Sequence, residues 1–179
     1  MSGPEAASQR VYFALWPDAA TAARLHALAL DTLRAAGGGR VVKAESMHLT
    51  LAFIGVVDAA RLALLVSVAD AIVAEPVDVA LDRVGVFRRG GILYAGMHAQ
   101  TPTLAALHRR LTAALAAVDA PTEARFTPHV TLARHVHAPD LAHQMPAIAW
   151  RSDSFSLVES QLRPSGAHYR VLHRFALKD

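Results

Sequence analysis

The stretch Glu45-Ser46-Met47-His48-Leu49-Thr50-Leu51-Ala52-Phe53-Ile54-Gly55 decides the fold when it is set beside Arg125-Phe126-Thr127-Pro128-His129-Val130-Thr131-Leu132-Ala133-Arg134. Each segment carries His-x-Thr-Leu in a run of strand-forming residues. In a strand, side chains alternate between faces, and residues two apart lie on one face about 6.6–6.8 Å from each other. His48 and Thr50 therefore share a face, while Leu49 and Leu51 point the other way. The same parity joins His129 to Thr131, with Val130 and Leu132 opposite. Each motif has an apolar side for a core and a polar side presenting one imidazole and one hydroxyl. A strand that serves only packing has little reason to do this twice.

Upstream of the first motif, Arg10-Val11-Tyr12-Phe13-Ala14-Leu15 reads as a first strand, closed by Trp16-Pro17. Asp18 can cap a helix through Leu25, Leu28 and Leu33, which Gly37-Gly38-Gly39 stops. A short strand near Val41-Val42 precedes the first motif strand, which Gly55 is expected to end. Asp58 can cap a second helix whose apolar positions Leu62, Leu65, Val66, Ala69, Ile72 and Val73 follow helical spacing. Val77, Val79 and Leu81 alternate with polar or small residues as in a half-buried strand. Arg89-Gly90-Gly91 reads as a hairpin turn into Ile92–Gly96. A third helix starts at Thr101-Pro102 with the stripe Leu104, Leu107, Leu111, Leu115 and Val118. After the second motif comes a loop rich in His and Pro. Two further strands follow, Ser154–Ser160 and Tyr169–Leu177, joined by a turn at Pro164-Ser165-Gly166.

One order of elements occurs twice: a strand, a long helix, about ten linking residues, then His-x-Thr-Leu on a strand. Two copies of one supersecondary unit predict two lobes related by pseudo-symmetry, with the motif strands meeting at a cleft. No low-complexity tract divides the chain. Residues 1–9 read as a disordered tail and 10–179 as a single two-lobed domain.

Composition limits the function classes. Just over half of the 179 residues are hydrophobic, 53%, enough for a real core. No apolar run reaches the ~18 residues that span a bilayer, and the start of the chain lacks the basic and apolar regions of a secretory signal. There are no cysteines, which removes disulfide and thiolate chemistry and fits a reducing compartment, the cytoplasm. No membrane partner is expected, and a monomer is. The net charge of +3 is unevenly spread: residues 1–79 hold six Lys/Arg against eight Asp/Glu, and residues 80–179 hold twelve against seven. The basic second half could favour a phosphate-bearing partner, and equally suits an ordinary solvated surface.

Two facing imidazoles suit phosphodiester cleavage. One takes a proton from the attacking nucleophile and the other gives a proton to the departing oxygen. Histidine titrates near neutrality, so one ring can be neutral while the other is charged. Each threonine hydroxyl can hold a non-bridging phosphate oxygen. This chemistry calls for no metal and no cofactor. His135, His137 and His143 lack a recognised metal-ligand spacing and read as loop residues. Gly37–Gly39 is not a phosphate loop, because no Lys-Ser/Thr follows at the required distance. Phe13, Phe87 and Tyr94 are candidate base-stacking rings for which core packing is the expected role.

The motifs, with their flanks, resemble those of the two-histidine phosphoesterases. The branch they resemble most is the RNA 2′,3′-cyclic phosphodiesterases, also called 2′-5′ RNA ligases. Val11–Leu15, Ser154–Ser160, Gly166, Tyr169 and Phe175 are similar to that branch as well, so the likeness runs from Arg10 to Leu177. It implies an α+β fold, bilobal and pseudo-symmetric, with two antiparallel sheets flanking a central cleft and helices on the outer faces. It implies hydrolysis of RNA 2′,3′-cyclic phosphate ends to 2′-phosphomonoesters, with His48 as proton donor and His129 as proton acceptor. It also implies reversible 2′-5′ joining of RNA ends. Thr50 and Thr131 match the phosphate-holding hydroxyls, and Arg134 matches a phosphate-contacting arginine. Strict alternation, however, sends Arg134 to the face opposite His129, so it reaches the site only if the strand ends, twists or bulges near Ala133. Two alternatives stay open at this point. One is the same site acting on small cyclic nucleotides or 2′-5′ oligonucleotides. The other is an RNA-end-binding module without turnover.

Overall fold

The structure is a computed structural model that describes residues 8–36, 38–123, 125–137, 141, 143–163 and 166–178. Residues 1–7, most of the expected tail, lie outside it. So do Gly37 of the helix stop and Pro164-Ser165 of the final turn.

The first strand, β1 (Gln9–Leu15), begins inside the expected tail. It is followed by α1 (Ala19–Ala36), β2 (Arg40–Val41), a single 3-10 turn at Ala44–Ser46, β3 (Leu49–Val57) and α2 (Ala59–Asp70). Then come β4 (Val77–Phe87), β5 (Ile92–Gly96), α3 (Pro102–Ala116) and β6 (His129–Arg134). The chain closes with β7 (His143–Ser152), β8 (Ser154–Arg163) and β9 (Gly166–Ala176). Side chains fix the helix starts. The Asp18 carboxylate accepts from the Thr21 backbone N–H and hydroxyl, both at 2.8 Å. Asp58 accepts from the Arg61 N–H at 2.7 Å, and Thr101 from the Leu104 N–H at 3.3 Å.

Among the described residues the strands form one nine-stranded sheet in the order β7-β4-β5-β6-β3-β1-β8-β9, with β2 beside β6. Every pairing is antiparallel. The two expected sheets are its halves, β7-β4-β5-β6 and β3-β1-β8-β9. They join where β3 meets β6, at the pair Leu49↔Val130. Read outward from that joint, β6 answers β3, β5 answers β1, β4 answers β8 and β7 answers β9. The halves are not independent bodies. The first half's α1 lies against β6 and β7 of the second, and α2 packs on α3. A continuous buried core runs from Phe13, Phe155 and Phe175 through Leu49 and Val130 to Leu93, Leu107 and Trp150.

Three expectations change. The helix read through Val73 ends at Asp70, and the Val73 side chain is exposed. Gly55 does not end its strand. It sits at φ +98°, where the register steps from Val11↔Gly55 to Tyr12↔Phe53 and leaves Ile54 as an extra residue. A glycine tolerates that left-handed backbone, so the strand bulges and continues to Val57. The loop expected after the second motif contains a strand, β7, and His143 opens it. Pro146 obscures it in the sequence. β7 is an edge strand, and Pro146 falls where its register with β4 jumps from Ile148↔Leu81 to Gln144↔Arg83, so no ladder N–H is needed there. No helix among the described residues is long and apolar enough to cross a membrane.

Candidate active site

The two motifs lie side by side at the joint. Leu49, Leu51, Val130 and Leu132 are buried, whereas His48, Thr50, His129 and Thr131 are half-buried, so the expected parity holds. One residue either side of Leu49↔Val130, antiparallel register sets His48 opposite Thr131 and Thr50 opposite His129. The imidazoles and hydroxyls thus share one face, arranged about a local twofold at the joint.

After each motif the strand bulges at the same place. β1 pairs Ala14 with Thr50 but Phe13 with Ala52, leaving Leu51 as the extra residue. β5 pairs Tyr94 with Thr131 but Leu93 with Ala133, leaving Leu132 extra. Both residues at each step are buried: Leu51 and Ala52, Leu132 and Ala133. Two buried residues in succession reverse the alternation beyond them. Arg134 is thereby returned to the face of His129 and Thr131. Its charge is felt at His48, where it is one of the influences that disfavour a proton.

Local backbone geometry fixes both imidazoles in the same way. His48 Nδ1–H donates to the Ser46 carbonyl oxygen at 2.8 Å, and His129 Nδ1–H donates to the Thr127 carbonyl oxygen at 2.7 Å. A carbonyl only accepts, so Nδ1 carries the proton in each ring and Nε2 is the free, basic nitrogen. Burial pushes the His48 pKa down to about 4; the Ser46 bond opposes this, and the charges of His129 and Arg134 add to it. His129 is also lowered by burial, while the Thr127 bond and the Glu123 carboxylate pull it back up. Burial therefore favours the neutral form of both rings at pH 7.

The burial has named causes. His48 stands among Tyr12, Trp16 and Tyr169, each with its ring centroid 5.0 Å away. His129 meets Phe87 edge-on at 5.0 Å and Tyr94 at 5.6 Å, and those two rings stack on each other at 4.2 Å. Tyr94 can lie flat there because Gly85 and Gly96 flank it. A Cβ on Gly85 would fall 2.5 Å from the Tyr94 Oη and Cζ. Of the three candidate stacking rings, Phe13 is a core residue packed on Phe155 and Phe175, whereas Phe87 and Tyr94 border the motifs. Sequence reading missed Trp16 and Tyr169 as neighbours of His48. It also missed Tyr12: Val11, Phe13 and Leu15 belong to the main core, whereas Tyr12 and Ala14 lie on the other face of β1, where Tyr12 stacks on His48.

Known proteins share this sequence pattern and fold. The family model for the 2′-5′ RNA ligase superfamily matches residues 17–163. An RNA 2′,3′-cyclic phosphodiesterase of Thermus thermophilus is 41% identical over 54 residues, which is 30% of this chain and 27% of that relative. The matched part therefore spans about a quarter of the curated relative's length. E. coli LigT, solved as a complex with 3′-AMP, superposes with a TM-score of 0.85 at 26% identity, covering 97% of this chain and 100% of that one. The Thermus thermophilus protein TT0787 superposes with a TM-score of 0.79 at 28% identity, covering 94% and 98%.

Proposed function

This chain belongs to the 2′-5′ RNA ligase superfamily of two-histidine phosphoesterases, and from that premise we propose that it opens 2′,3′-cyclic phosphodiesters at RNA ends to leave 2′-phosphomonoesters. The observation that supports this reading most is the matched pair of imidazoles. Both have Nδ1 occupied by a backbone carbonyl two residues back, and both have Nε2 free on one face with two threonine hydroxyls.

In the proposed reaction the cyclic phosphate sits between the two rings. His129 Nε2 takes a proton from water as the water oxygen bonds to phosphorus. The bond from phosphorus to the 3′-oxygen breaks, and His48 Nε2–H protonates that oxygen as it leaves. Thr50 and Thr131 donate to the non-bridging oxygens, and Arg134 balances their charge. The product carries the phosphate on the 2′-oxygen. His129 then loses a proton to solvent, and His48 gains one. Because burial and the Arg134 charge favour the neutral His48 ring, its acid form depends on the substrate: an anionic phosphate offsets the repulsion from Arg134 and draws a proton onto the ring. With a 5′-hydroxyl in place of water and the same proton roles, these groups would join RNA ends through a 2′-5′ bond, and the reverse cleavage would exchange the roles.

The purified protein, incubated in EDTA with a nucleoside 2′,3′-cyclic phosphate, should release a phosphomonoester. Replacing either His48 or His129 by Ala should lower the rate by about 10²–10⁴-fold. Unchanged turnover in either variant would remove that ring from the mechanism. RNA binding without any product would favour a docking module instead.

A further inference from the structure

Beside His48 the cleft continues into a pocket of about 360 Å³, lined among others by Arg40, Lys43, Ser46, Arg134 and Tyr169. It adjoins the motifs directly: Ser46 holds the His48 ring through its carbonyl, and Tyr169 meets that ring edge-on. Three of its walls are cationic, and among the described residues no carboxylate lines it. Glu45 is exposed and lines the adjoining hollow, which shares Lys43, Ser46 and Tyr169 with this pocket, but it forms no ion pair with Lys43 among the described residues.

The strand pairing makes this charge arrangement unusual. β2 pairs with β6 so that Arg40 stands directly opposite Arg134 on the same face. Like charges directly opposed across a ladder are destabilising. Among the described residues none of Arg40, Lys43 and Arg134 takes part in an ion pair. Ordinary packing does not call for three cations without ion pairs around one pocket. An anion held among them would remove the repulsion and gain charge-assisted hydrogen bonds.

In the reaction proposed above, on which this inference rests, Arg134 faces the scissile phosphate. Arg40 and Lys43 then remain for a second one. A 2′,3′-cyclic phosphate closes the end of an RNA chain, so the only other phosphate on that ribose is attached to its 5′-oxygen. We propose that Arg40 and Lys43 form a subsite for this 5′-phosphate, which makes the enzyme selective for oligonucleotide or 5′-phosphorylated ends over bare nucleoside cyclic phosphates. The pocket is of ligand size and needs to accept only the phosphate and the adjoining part of the ribose.

The test compares uridine 2′,3′-cyclic phosphate with its 5′-phosphorylated form, on the wild type and on Arg40→Gln/Lys43→Gln. For the wild type, the 5′-phosphate should raise kcat/KM by about tenfold or more, chiefly through KM, as contacts between charged groups do. The double variant should lose that advantage and keep the wild-type rate on the bare nucleoside cyclic phosphate. A second measurement is independent of turnover. Calorimetric titration with uridine 2′,5′-bisphosphate and uridine 2′-monophosphate should show the bisphosphate binding more tightly to the wild type and equally to the variant. Absence of a 5′-phosphate advantage in the wild type, or its survival in the double variant, overturns the subsite. Failure to hydrolyse either compound, with the bisphosphate preference intact, counts against the proposed reaction and leaves the subsite standing.

Discussion

Replacing His48 by Gln removes a ring whose pKa the fold lowers from 6.5 to about 4, chiefly by burying it among aromatic neighbours. The unfolded chain protonates this histidine as pH falls through 6.5, while the folded protein holds it neutral down to about 4. Between those values the unfolded state binds more protons, so the protein loses stability as pH falls through that window and retains it in full above. One pKa unit corresponds to about 1.4 kcal/mol, so the whole window is worth roughly 3 kcal/mol, of which roughly 2 kcal/mol is already lost near pH 5. Urea unfolding of the wild type and His48→Gln, near pH 8 and near pH 5, isolates this contribution, because His129 is present in both. The stability of the wild type relative to the variant should fall by roughly 2 kcal/mol between the two conditions, with similar denaturant slopes. Equal pH dependence in the two proteins would show that His48 titrates as it does in water. It would refute the claim that the cleft holds it neutral until an anion arrives.

Replacing Arg134 by Met should lower kcat/KM by about 10–100-fold, the loss expected when a charged hydrogen-bonding partner is removed. It should also raise the His48 pKa, since Arg134 is one of the charges that depress it; a histidine NMR titration against the wild type checks the second effect. Replacing Gly85 by Ala places a methyl group 2.5 Å from Tyr94, so that ring must move, and with it the Phe87 and His129 contacts. The expected result is a stability loss of about 1–3 kcal/mol, typical of overpacking, together with reduced turnover. Wild-type stability and wild-type kinetics in that variant would mean that Tyr94 does not hold His129.

The motif strands show how far the sequence carries. Alternation correctly put His48 with Thr50 and His129 with Thr131, because a face shared at i and i+2 follows from strand geometry alone. It misplaced Arg134, since one extra residue at Leu132 inverts every later position and a bulge leaves no compositional mark. The matching bulge at Leu51 is equally hidden. β7 escaped because Pro146 interrupts a strand pattern that an edge position tolerates. The rings around His48 come from β1, the segment after it and β9, so their meeting depends on the order β3-β1-β8-β9, which local pattern does not encode. The Arg40–Arg134 pair is of the same kind: it depends on a two-residue strand finding a partner more than ninety residues away.

The position of the phosphate after turnover tests the central claim most directly. Phosphorus NMR of the product from a nucleoside 2′,3′-cyclic phosphate, run in EDTA, distinguishes the two monoesters. The expected product is the 2′-phosphate, with its signal lost in both His48→Ala and His129→Ala. A 3′-phosphate product, or a 2′-phosphate formed at the wild-type rate without either histidine, would contradict it.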